Sequence, residues 1–196
     1  MRLVVIFLFS MSFAMAQKPQ AHKYWEDLNQ NDQKKLTAQP FVNNDARDFL
    51  YDSFKASDDD RTFALLDILV KAKGQSLPLY FFLFNKILKP ADGALAEVMG
   101  TYCYKMLHNH PVYVIRYFGK IQENLQNRRS LENIYAKFLA EEFYFEKMGC
   151  SEIKEPFGTF KKHIRSLKSY SSSPDFKRLT DSFLKRVDFY FKNITP

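Results

Sequence analysis

Glycine is scarce in this chain, with six residues among 196. Tight phosphate-cradling and nucleophile-bearing loops depend on glycine's backbone freedom. The sequence accordingly has no phosphate loop, no dinucleotide fingerprint and no Gly-x-Ser-x-Gly elbow. Cysteine is scarcer, with only Cys103 and Cys150. Two thiols cannot build a zinc site of the finger type. Histidine occurs four times, as His22, His108, His110 and His163. His108 and His110 stand two apart, and on a helix such neighbours diverge. Glu141, Glu142 and Glu146 share one predicted helix, but no Glu-x-x-His accompanies them as a di-iron bundle requires. Asp58, Asp59 and Asp60 are consecutive, whereas a calcium loop spaces its ligands at alternate positions. No cofactor and no metal are therefore expected, and no catalytic residue stands out.

Long apolar runs are also few. The first is Leu3 to Phe13, broken only by Ser10 and Ser12. It follows Met1-Arg2 and precedes Ala14-Met15-Ala16, whose small residues suit a signal peptidase. Residues 1–16 read as a cleavable signal peptide of an exported protein, periplasmic or secreted and bacterial in style. The alternative is an uncleaved anchor. No later run is long enough to cross a bilayer, which takes about 20 apolar residues.

What the chain has in quantity is aromatic side chains, 20 Phe and 11 Tyr. The densest stretch is Leu77 to Leu88, where only Asn85 and Lys86 are strongly polar after Pro78. A helix apolar nearly all round must be covered on most sides. Aromatic runs also suit strands, but the flanks decide for a helix. Ser76 can cap it, Pro78 fits its first turn, and Pro90 follows as a stop. This helix is expected at the centre of the fold.

The remainder reads as helix after helix with short, often proline-marked turns. Asp58–Asp60 opens a helix carrying Phe63, Leu66 and Val70. Two helices follow the central one, the first through Leu95, Val98, Met99 and Tyr102, the second through Val114, Ile115 and Phe118. A longer one carries Leu131, Tyr135, Phe138 and Leu139. The last two run Phe157–Phe160–Ile164–Leu167 and Phe176–Leu179–Phe183–Val187, the latter opened by Ser173-Pro174-Asp175. The expected fold is all-α, with about eight amphipathic helices in an irregular bundle or a short α-solenoid. The expected organisation is a signal peptide (1–16), a polar N-terminal arm (17–42) pinned by Trp25, and one helical domain (43–196). Cys103 and Cys150 either form a disulfide, which export permits, or stay as separate buried thiols.

Charge is unevenly spread. The chain carries net +7, and from Cys150 onward ten basic residues stand against five acidic ones. Lys161, Arg165 and Lys168, with Lys162 beside them, form a stripe opposite Phe157, Phe160 and Ile164. Such a stripe attracts anionic surfaces or acidic proteins, although its plainer role is a solvated outer face. Nucleic acid is not an expected partner, because export and the lack of interleaved stacking aromatics both argue against it. The leading expectation is a binding protein whose partner is another protein or an anionic surface, in the manner of a periplasmic inhibitor, an immunity-type protein or an adaptor. A carrier with an aromatic-lined cavity for a small apolar ligand or lipid, and a hydrolase on a helical scaffold, are the alternatives.

Overall fold

A computed structural model describes residues 23–122, 131–149 and 155–194. The expected signal peptide and Cys150 lie outside the described residues. Among those described, all regular structure is helical. The elements are a 3-10 turn at Trp25–Asp27, α1 (Gln30–Thr37), α2 (Asn44–Leu50), α3 (Asp60–Leu69), a 3-10 turn at Gly74–Ser76, α4 (Leu77–Leu88), α5 (Gly93–Asn109), α6 (Pro111–Gln122), α7 (Leu131–Met148), α8 (Pro156–Ser166), α9 (Lys168–Ser172) and α10 (Pro174–Lys192).

Side-chain caps set many of the boundaries. The amide of Asp32 donates to Asn29 Oδ1 at 2.9 Å and that of Asp45 to Asn43 Oδ1 at 2.7 Å. Thr62 N–H donates to Asp59 Oδ1 at 2.7 Å, so the middle residue of the aspartate run is a helix cap. Phe176 N–H donates to Ser173 Oγ at 3.3 Å. Each such cap satisfies a backbone donor that the helix itself leaves open. Ser76 behaves differently from the expectation. Its hydroxyl turns back to the carbonyl of Lys73 at 3.0 Å and closes the preceding 3-10 turn, so it does not cap α4.

Two helices exceed the expected eight. α1 lies within the stretch read as a polar arm, and its apolar pattern is too sparse to announce it. α9 arises because Leu167 adopts an extended conformation (φ −63°, ψ 136°), which ends α8 and starts a separate five-residue helix.

α4 is the covered centre. Leu79, Tyr80, Phe81, Leu83, Phe84, Asn85, Ile87 and Leu88 are all buried. Each fully buried apolar side chain of this size contributes about 1.5–3 kcal/mol. The helix keeps one partly exposed strip beyond its first residue, Pro78, Phe82 and Lys86, at four-residue spacing. Around α4 pack α2, α3 and the Trp25 turn, and α10 closes the other half against α6 and α7. The start of the described chain meets α6, in mid-chain, through sequence-distant contacts. Tyr24 lies 4.7 Å from Tyr113 between ring centroids, and its hydroxyl donates to the Tyr113 carbonyl across 89 positions. Contacts of this range make the arrangement a helical bundle. The aromatic surplus fills its interior, as in Phe84–Tyr135, Phe118–Tyr135 and Phe118–Phe183.

Candidate functional site

Phe82, on the partly exposed strip of α4, lies at the floor of a surface groove. Trp25 stacks on Phe82 with ring centroids 5.8 Å apart and 29° between planes. Gln30, Gln33, Lys34 and Thr37 of α1 make one wall, Leu50 and Tyr51 at the end of α2 the other, with Lys86 at one end. The groove holds about 340 Å³.

Its walls are fixed by hydrogen bonds. Gln33 Nε2 donates to the Trp25 carbonyl at 3.0 Å, tying α1 to the Trp25 turn. The Tyr51 hydroxyl donates to Thr37 Oγ1 at 3.3 Å and spans α2 to α1. Tyr51 is nevertheless 62% exposed, so most of its ring faces water above the groove. Asp52, beside it, takes a left-handed conformation (φ 59°) that turns the chain after α2. Lys86 Nζ donates to the Phe49 carbonyl at 3.1 Å and to Asp52 Oδ1 at 2.7 Å. This bond from Lys86 draws the Asp52 carboxyl below its ordinary pKa. Lys34 is exposed and has no ion pair among the described residues. Aromatic and aliphatic surface, two amides, two cations and two hydroxyls thus surround one concave apolar floor.

The basic stripe expected from the sequence is divided by the fold. Lys161 Nζ lies 4.4 Å above the Phe157 ring, and Arg165 reaches Asp181 of α10 at 3.1 Å. The Tyr170 hydroxyl donates to the same Asp181 at 3.0 Å. Arg165 thus ties α8 to α10, while the Lys161 contact stays within α8. Lys162 and Lys168 are exposed, but on different helices, because the chain breaks at Leu167. Cys103 is fully buried on α5, and burial pushes its thiol well above the ordinary range. The choice between a disulfide to Cys150 and two separate thiols falls outside the described residues.

Two other clusters gather ionisable side chains. His108 stacks on His163 at 4.5 Å, with Tyr104 stacked on the other side of the pair at 5.7 Å from His108. Asp58 and Asp92 line a cleft of about 280 Å³ with Ser57 and Gly93. Both aspartates are exposed, whereas an acid catalyst of the glycosidase type works from a buried, water-poor setting. Among the described residues no group of three or more His, Cys, Asp or Glu is placed to hold a metal ion, and no helix is long and apolar enough to cross a membrane.

Sequence reasoning missed Lys34, Tyr51, Phe82 and Lys86. The spacing of Pro78, Phe82 and Lys86 was a usable signal for one of α4's faces, but the walls come from α1 and α2 and only folding reveals them. Compared with family models, curated proteins and solved structures, the chain has no match.

Proposed function

We propose that this chain is an exported binding protein that receives a partner protein in the groove beside Trp25. The reading takes residues 1–16 as a signal peptide removed after Ala16, so that the working form begins at Gln17. The observation that carries the binding role is Tyr51, a large aromatic held by a hydrogen bond yet 62% exposed over an apolar floor. Rigid aromatics of this kind, set around a pocket that desolvates on contact, are the usual energetic anchors of protein interfaces. The partner segment that fits carries an apolar or aromatic anchor for the Phe82–Leu50 floor and carboxylates for Lys34 and Lys86. An inhibitor, an immunity-type protein or an adaptor would each use such a surface. The basic residues of the C-terminal third favour approach of an acidic partner by long-range attraction.

The test compares one captured partner across variants. Mature protein is used as bait in the exported fraction at low and moderate salt, and bound proteins are identified by mass spectrometry. The same partner should be lost from Tyr51→Ala and Lys34→Glu baits and retained by a Lys162→Glu, Lys168→Glu bait. Recovery of no partner, or of one indifferent to the groove substitutions, contradicts the proposal.

A further inference from the structure

α7 carries a second, mainly apolar line, which starts against the core at Ile134 and Phe138 and runs out to exposed residues. Ile134, Phe138, Glu141, Phe145 and Met148 recur at alternating spacings of four and three, which puts them along one side of the helix. Near its start, Ile134 and Phe138 are half-buried and line a cleft of about 390 Å³ with Leu88, Asn133, Lys137 and Tyr190. Near its end, Phe145 and Met148 are each 69% exposed. One helix face therefore bears an aromatic knob and an open cleft. Ile134 and Phe145 are eleven positions apart, about 16 Å along the helix axis.

We propose that two copies of this chain pair through α7, antiparallel about a two-fold axis passing close to Phe138 and Glu141. This goes beyond the groove reading and does not depend on it. The two-fold operation sets Phe145 of each copy against Ile134 of the other, so that each ring enters the other's cleft. A two-fold interface must be self-complementary, with knob and cleft on the same patch, and this patch has both. The charges agree with the same register. Lys137 and Glu141 lie on either side of the axis, so each lysine faces the glutamate of the second copy. Within one chain they form only a loose pair, at 3.7 Å, and the lysine side chain is 65% exposed. A parallel pairing would set Lys137 against Lys137 and leave both clefts unfilled. Opposed helix dipoles add to the preference for the antiparallel arrangement. The consequence is a particle presenting two grooves, which raises avidity for any multivalent partner.

Sedimentation velocity on the mature chain, from 1 to 200 µM and without any partner, tests this. The expected result is a monomer–dimer equilibrium, with the dissociation constant raised about tenfold or more by Phe145→Glu. Lys137→Glu and Glu141→Lys should each weaken the dimer, and the double reversal should restore it. In a mixture of isotopically light and heavy chains, a carbodiimide should link Lys137 to Glu141 across the two labels. Phe145 is exposed, so its replacement leaves the fold intact, which circular dichroism checks. A monomer throughout, a dimer indifferent to Phe145→Glu, or a double reversal no better than the single ones overturns the proposal.

Discussion

The imidazoles of His108 on α5 and His163 on α8 lie stacked, 4.5 Å between centroids and 22° between planes. Nε2 of His163 is buried and has no hydrogen-bond partner among the described residues. Desolvation first, and then the neighbouring His163, hold His108 below its ordinary pKa of 6.5. Glu146 of α7 acts on Tyr104, which stacks on His108, and its own carboxyl is raised by burial and by Glu142. Lys162 and Arg165 flank His163 on α8 and add positive charge.

The sign of the pH dependence follows from that depression. The unfolded chain binds a proton at His108 more readily than the folded one, so stability from this residue is complete above pH 6.5 and is lost as pH falls below it. His110 is depressed too, mainly by burial, and adds in the same direction. Chemical denaturation between pH 7.5 and 5 should show falling stability. His108→Phe should flatten part of that slope, since a phenyl ring keeps the stack and cannot be protonated. An unchanged slope would remove the pair from the account.

Asn85 and Tyr135 form a polar contact inside the core. The Tyr135 hydroxyl donates to Asn85 Oδ1 at 3.1 Å, while Asn85 Nδ2 has no partner among the described residues. Tyr135→Phe leaves both ends of a buried amide unpaired, for which the expected cost is about 1–3 kcal/mol. Replacing both, Asn85→Leu with Tyr135→Phe, removes the polar groups together and should recover most of that loss. Urea unfolding of the two single variants and the double variant gives the coupling. Strict additivity would mean that the contact has no energetic weight.

At Gly100, α5 packs tightly against α7. A Cβ there would stand 2.8 Å from the Phe138 carbonyl oxygen and 2.8 Å from Glu142 Oε2. The carboxylate can swing aside, but the backbone carbonyl cannot. Thr101 Oγ1 also holds Glu142 in place, donating to Oε1 at 2.8 Å. Alanine gains about 1 kcal/mol of helix propensity over glycine. Overpacking costs about 1–3 kcal/mol, so the net effect of Gly100→Ala is expected to be destabilising. A raised melting temperature would show that α5 and α7 separate without strain.

Trp25 is the single tryptophan of the chain, and it lines the groove while being only 7% exposed. Its emission should be blue-shifted in the native state, and engagement of the groove should change its intensity. Trp25→Ala should cost about 3–5 kcal/mol, because the ring anchors the Trp25 turn on Phe82. Tyr51→Ala should leave stability within about 0.5 kcal/mol, as for most exposed positions. Thermal melts of both variants separate the anchor of the fold from the anchor of binding.

Much of the architecture was legible before folding. The central helix from Leu77 to Leu88 appears with those bounds, because proline and lysine mark its ends and apolar residues fill its middle. The start of α10 was equally plain from Ser173-Pro174-Asp175. α1 was hidden because Gln30–Thr37 has one aliphatic residue, Leu36, and is held mainly by its Asn29 cap and by Gln33 bonding to Trp25. The break at Leu167 was hidden because leucine fits a helix, and only its observed ψ separates α8 from α9. The basic stripe was visible as charge, but charge alone does not say that Arg165 is turned to Asp181. The groove was invisible because it joins a turn and three helices separated by up to about sixty positions, and nothing in the sequence separates Tyr51, which is exposed, from the many buried aromatics.

The most direct test of the binding role is photocrosslinking from position 51 in the exporting cell. With p-benzoylphenylalanine substituted for Tyr51, irradiation should give one discrete adduct with a partner protein, and the same probe substituted for Lys168 should give none of that species. Adducts from position 168 with a bare position 51 would contradict the account.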